Sequence, residues 1–118
     1  MMKQLKNLKK NKQFLKNFKS RYDQCKKTDE LVRELTGGQV NCLCEIIKNL
    51  CLGNIQLKRD TVNKFRPYEK TLNSLKTKKL SMKKRKNILR QKGNGFILPL
   101  LLSLIVPHVV NFIEKQLE

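Results

Sequence analysis

Four cysteines, one histidine and nine carboxylates are the residues of this 118-residue chain whose side chains suit catalysis or metal ligation. Cys25, Cys42, Cys44 and Cys51 form no Cys-x-x-Cys pair, and His108 lies far from them in an apolar run, so the spacing does not make a zinc site. Cys44 and Cys51 stand seven apart on the apolar face of one helix, where a free thiol acts as a small hydrophobe. Cys42 points elsewhere and is expected to be partly exposed. Neither a Gly-rich phosphate loop nor a nucleophile set beside a base is present, so the chain is expected not to be an enzyme and to need no metal or cofactor. What remains is the chemistry of cations. The chain holds 27 Lys and Arg against nine acids, a formal net charge of +18, and a polyanion is the partner this calls for.

The charge is segregated. Residues 1–21 carry 8 basic side chains and no acid, residues 22–57 carry 4 against 5, residues 58–92 carry 14 against 2, and residues 95–118 carry 1 against 2. Phosphate-neutralising candidates are therefore Lys9, Lys10 and Lys12 near the N-terminus, and Lys76, Lys78, Lys79, Lys83, Lys84, Arg85, Lys86, Arg90 and Lys92 further on. Cations set against phosphates release condensed counterions, which gives affinity with a steep salt dependence and little base preference. Lysine is a flexible point charge ill suited to bidentate base reading. Few aromatics interleave with these lysines, so no stacking platform for single strands is indicated, and non-specific duplex DNA is the expected ligand. The run Lys83 to Lys86 also fits a solvated face or a nuclear localisation signal.

These residues must be carried by helices. In the N-terminal stretch Leu5, Leu8, Leu15 and Phe18, with Phe14 beside them, are spaced for one apolar stripe on a cationic helix, a basic arm that also suits packing on a neighbouring helix. Thr28, Asp29 and Glu30 open a helix expected to stop at Gly37-Gly38. Next come Val40, Leu43, Cys44, Ile47, Leu50 and Cys51 on one helical face, with Gly53 where a left-handed C-cap belongs. Val62, Phe65, Tyr68 or Glu69, Leu72 and Leu75 keep helical register through Pro67, which should kink or split that run. Ser81 caps a last basic helix that Gly93 should end. No stretch alternates as a strand would. The expected fold is all-α, a small bundle of short helices with a basic N-terminal helical arm (residues 1–27), a small helical domain with a lysine-rich C-terminal half (28–92), and a Gly junction leading to a C-terminal apolar helix (93–118).

The apolar tail, residues 96–113, has 18 residues without a formal charge, the lower limit for crossing a hydrocarbon core of about 30 Å. Pro99 falls early enough to be tolerated in a first turn, whereas Pro107 removes a donor within the run. Phe96, Leu98, Pro99, Leu101, Leu104, Ile105 and Pro107 are the candidates for contact with a membrane or a protein shell. If the tail spans a bilayer, the lysines before it stay cytoplasmic. If it packs on a shell protein, its deletion should leave DNA binding intact.

The run from Gly93 to Leu102, preceded by KKRKNILRQK, resembles the C-terminal part of the adenovirus core protein mu precursor, and the whole layout is similar to small basic late proteins of adintoviruses and Polinton (Maverick) elements. The close match covers about residues 83 to 106. The helical middle has no counterpart in mu, and lysine stands here where mu uses arginine and histidine. The resemblance implies a DNA-condensing protein of the virion core, found in the host nucleus during assembly, whose apolar tail contacts capsid protein. It also implies cutting by an adenovirus-type cysteine protease. Gln91, Gly93 and Asn94 before Gly95 match that protease's pattern, and Leu35-Thr36-Gly37-Gly38 before Gln39 matches its sister form. Gly93 and Gly95 equally suit a helix terminator and a flexible join. Four free thiols without a secretory leader suit a reducing cytosol or nucleus. The alternative is a tail-anchored or membrane-active basic protein at an intracellular membrane.

Overall fold

Among residues 9–25, 28–53, 55, 57–76, 80–90 and 97–117, which the computed structural model describes, every regular element is helical, and the all-α bundle is what the chain forms. The elements are α1 (Lys12–Cys25), α2 (Thr28–Arg33), α3 (Gly37–Cys51), α4 (Arg59–Phe65), a 3-10 turn (Arg66–Tyr68), α5 (Glu69–Lys76), α6 (Met82–Arg90) and a C-terminal helix, α7. Helix α7 has three parts: a first turn Leu98–Leu100, a π-helical stretch Leu101–Ile105 and an α-helical stretch Val106–Leu117.

Local signals explain most of the boundaries. Pro67 splits the α4–α5 run through the 3-10 turn, where its missing N–H costs nothing. Gly53 takes φ +77 just past α3, a conformation that a side chain would strain. At α6 the Ser81 hydroxyl accepts the Lys84 N–H at 3.3 Å, as an N-cap should. The expected stop at Gly37-Gly38 is corrected: α2 ends at Arg33, and both glycines lie in the first turn of α3. Thr36 is the cause. Its hydroxyl accepts the Gln39 N–H at 3.2 Å while the Gln39 amide oxygen accepts the Thr36 N–H at 3.0 Å, a reciprocal cap that starts the helix before the glycines can end one.

Helix α3 has α5 and α6 packed on it and on each other. Being covered from several sides, it buries Val40, Cys42, Leu43, Cys44, Ile46, Ile47 and Asn49 instead of the single face its periodicity suggests. The expected exposure of Cys42 is therefore overturned: Cys42 is buried, and Cys51, in the final turn of the helix, is exposed. Helices α1 and α2 pack together, α6 also lies on α2, and α7 lies along α1.

The described part of the basic arm is a core element. Leu15, Phe18 and Tyr22 turn the stripe of α1 inward, and Phe14 stacks on Phe18 with ring centroids 5.5 Å apart. Opposite them, α7 contributes Leu98, Leu101, Leu102, Ile105, Val106, Val109 and Ile113 to the same hydrophobic cluster. Its exposed positions are the polar Ser103, His108, Asn111 and Lys115. The tail thus has one apolar face and one polar edge, and the apolar face is covered by the chain itself. Pro99 sits in the first turn as expected. Pro107 is accommodated by the π-helical stretch, where the Val106 N–H reaches the Leu101 carbonyl five residues back; the wider turn relieves the crowding a proline ring causes one turn upstream.

Candidate nucleic-acid interface

The charges divide along the same lines as the packing. On and beside α1, α2 and α7 the described carboxylates other than Glu30 are occupied by cations of the chain. Glu114 meets Lys16 at 3.2 Å and Lys12 at 3.6 Å, Asp23 is held by Lys19, Glu34 by Arg21 at 2.7 Å, and Asp29 by Arg33 at 2.8 Å and by Arg90. The Lys16 hydrogen bond, then the charges of Lys16 and Lys12, hold the Glu114 carboxyl below the usual range. Exposed pairs of this kind add little stability, but they occupy cations that would otherwise face an external anion.

Other cations differ. Lys58, Arg59, Lys64, Arg66 and Lys70 on and around α4 and α5, Lys76 at the end of α5, and Lys83 and Lys84 at the start of α6 are all exposed and, among the described residues, form no ion pair. Asp60 and Glu69 are the only carboxylates in this part of the chain. Eight exposed cations against two acids, on elements that follow one another and pack together, leave this part of the chain with a large excess of positive charge.

Of the twelve cations expected to contact DNA, Lys76, Lys83 and Lys84 lie on this surface. Lys10 is exposed before α1 and Lys9 is half-buried. Lys12 is engaged with Glu114. Lys78, Lys79 and Lys92 lie outside the described residues, as do the expected cleavage residues Gln91, Gly93, Asn94 and Gly95 and the tail's Phe96. Three residues of α6 have internal work. Arg85 is buried, its guanidinium donating to Asn41 Oδ1 at 2.9 Å, and so is not presented to a ligand outside. Lys86 donates to the carbonyls of Leu35 at 2.6 Å and Arg33 at 3.4 Å, satisfying groups that the end of α2 leaves open. Arg90 clamps Asp29 at the other end of α2. The folded Lys83–Lys86 run therefore offers two cations outward, Lys83 and Lys84.

The sequence contained a sign of this. Met82, Arg85 and Leu89 recur at three and four, so the inward face of α6 passes through Arg85. Conversely Lys58, Arg59, Lys64, Arg66 and Lys70, which are not among the expected contacts, are exposed, since one side of a short helix can be wholly solvated. The sister cleavage pattern ending at Gly38 falls in the capped first turn of α3, where the backbone is helical and not extended. On α7, Leu98, Leu101 and Ile105 are buried, whereas Pro99, Leu104 and Pro107 are half-buried. Among the described residues no three His, Cys, Asp or Glu side chains group as metal ligands.

The thiols separate by burial. Desolvation pushes the Cys42 thiol up to about 12, with the charges of Glu45 and Cys44 adding to it, and burial raises Cys44 as well, against the lowering effect of Arg85. Thiolate is the reactive form, so native protein treated with iodoacetamide at pH 8 should be alkylated at Cys51 long before Cys42 or Cys44, which label only after denaturation. Equal native labelling of Cys42 and Cys51, read by peptide mass mapping, contradicts the placement of α3.

Compared with family models, curated proteins and solved structures, the chain matches none.

Proposed function

We propose that this protein binds duplex DNA non-specifically and compacts it as a core-type protein of a virus or virus-like element. The observation that carries the reading is the partition of charge. Lys12, Lys16, Lys19, Arg21 and Arg33 are paired with carboxylates of the chain, whereas Lys58, Arg59, Lys64, Arg66, Lys70, Lys76, Lys83 and Lys84 are left for an external anion. Flexible ammonium groups spread over helices track a phosphate backbone without reading bases. The resemblance to the adenovirus mu precursor makes that DNA the packaged genome, the place of action the virion core and the assembling nucleus, and the junction after Asn94 the substrate of an adenovirus-type protease. Because α7 belongs to the core, cutting the junction does not by itself free the tail, and contact with a capsid protein or bilayer requires its buried face to come away from α1.

Fluorescence anisotropy with two unrelated duplexes of equal length tests the reading. Both should bind with affinities within about threefold of each other, since non-specific binding rests on phosphates. No binding to either at low salt, or a strong preference for one, rejects it.

A second reading, membrane association through residues 96–113, has one observation in its favour: Leu98–Lys115 is long and apolar enough to cross a bilayer. The lysines upstream then dock on anionic lipid. Flotation of the full chain with anionic vesicles decides it, and a chain that stays at the bottom excludes it.

A further inference from the structure

The two large apolar side chains most exposed among the described residues are Leu52, 56% accessible, and Val62, 44% accessible. Val62 lines a groove of about 1140 Å³ between the end of α3, the connection to α4 and the outer side of α5, whose floor is Leu50, Ile55, Leu57, Phe65 and Leu72. Phosphate binding has no use for such a floor. Apolar side chains left at the surface around a concavity mark a site where another apolar group is received.

The rim identifies the occupant. Arg66 and Lys76 line the groove and lie ten residues apart along the 3-10 turn and α5, a rise of roughly 15 Å, with Glu69 between them. Both cations lack an ion-pair partner among the described residues. We infer that this groove is the docking site for a helical segment of a partner protein that carries apolar residues along one face and carboxylates near both ends. The central Glu69 disfavours acids in the middle of that segment. A second copy of this chain is a poor occupant, because two molecules at +18 repel. A bilayer is planar, and the floor is recessed. Laying an amphipathic helix in an apolar groove, with end charges setting its orientation, is a common mode of peptide capture. The site shares Arg66 and Lys76 with the cations assigned to phosphates, so the segment and DNA compete for those two side chains, but its apolar floor plays no part in DNA binding and the peptide test is read without DNA.

The test uses the full chain and a fluorescein-labelled synthetic helix with leucines at i, i+3, i+4 and i+7 and a glutamate pair at each end. Saturable binding is expected, weakened at least about tenfold by Val62→Asp, whose exposed site lets the variant fold. Arg66→Glu combined with Lys76→Glu should lose the acidic peptide and bind a version with lysine pairs at its ends, a swap that general destabilisation does not produce. Three results overturn the proposal: no saturable binding, equal binding by Val62→Asp, or equal binding of acidic and lysine-ended peptides to the unaltered chain. Val62-dependent binding to phosphatidylserine vesicles without peptide binding also overturns it, and transfers the patch to a lipid surface.

Discussion

Replacing Lys64, Lys70, Lys76, Lys83 and Lys84 together by glutamine should lower affinity for duplex DNA by about a hundredfold or more at 0.1 M salt. Each phosphate contact adds about 0.9 to the slope of log affinity against log salt, so losing five should flatten that slope by about 4.5. All five side chains are exposed and, among the described residues, none forms an ion pair, so the fold should survive. Lys16, Lys19 and Arg21 are the matched control. Glutamine at these three positions removes cations that already face Glu114, Asp23 and Glu34, and should change DNA affinity by less than about threefold. If both sets lose affinity in proportion to the charge removed, net charge alone drives binding and the placed surface is an incorrect description.

The second large effect falls on folding. Leu102→Ala and Ile105→Ala should each cost about 2–5 kcal/mol, the range for emptying a fully buried aliphatic site, and the double variant should be largely unfolded in a domain whose total stability is of order 5–15 kcal/mol. His108→Ala, on the exposed edge of the same helix, should stay within about 0.5 kcal/mol. Urea unfolding followed by circular dichroism measures all four. Neutral effects at Leu102 and Ile105 mean the tail is a free arm. The same placement revises what truncation does: removing residues 96–118 takes away the face that covers α1, so the expectation that DNA binding outlives the deletion does not carry over to the folded chain.

Helix positions were legible where a local rule decides them. Pro67 had to interrupt its run, Gly53 had to follow α3, and Ser81 had to cap α6, because each depends on backbone chemistry within a few residues. Gly37-Gly38 was misplaced by the same kind of rule: two glycines argue for a stop, but the Thr36–Gln39 cap argues for a start and is worth about 1 kcal/mol. What periodicity does not reveal is what covers an apolar face. It marked the tail as apolar without distinguishing a bilayer or a shell from α1, and it gave α3 one buried face where the packing of α5 and α6 widens it. Arg85 shows the converse, a cation on the inward register of α6 that composition assigned to the ligand. The interface was legible in bulk, as 14 cations against 2 acids over residues 58–92, but its division into bare and occupied charges depends on which carboxylates the fold brings close.

The most direct test of the central claim is the salt dependence of duplex binding by the unaltered chain. With about eight phosphates engaged, one for each bare cation, log affinity should fall against log salt with a slope near −7 between 50 and 200 mM, and the same slope should be found for unrelated duplex sequences. A slope near zero, or one that belongs to a single sequence only, contradicts a surface built to neutralise the phosphate backbone.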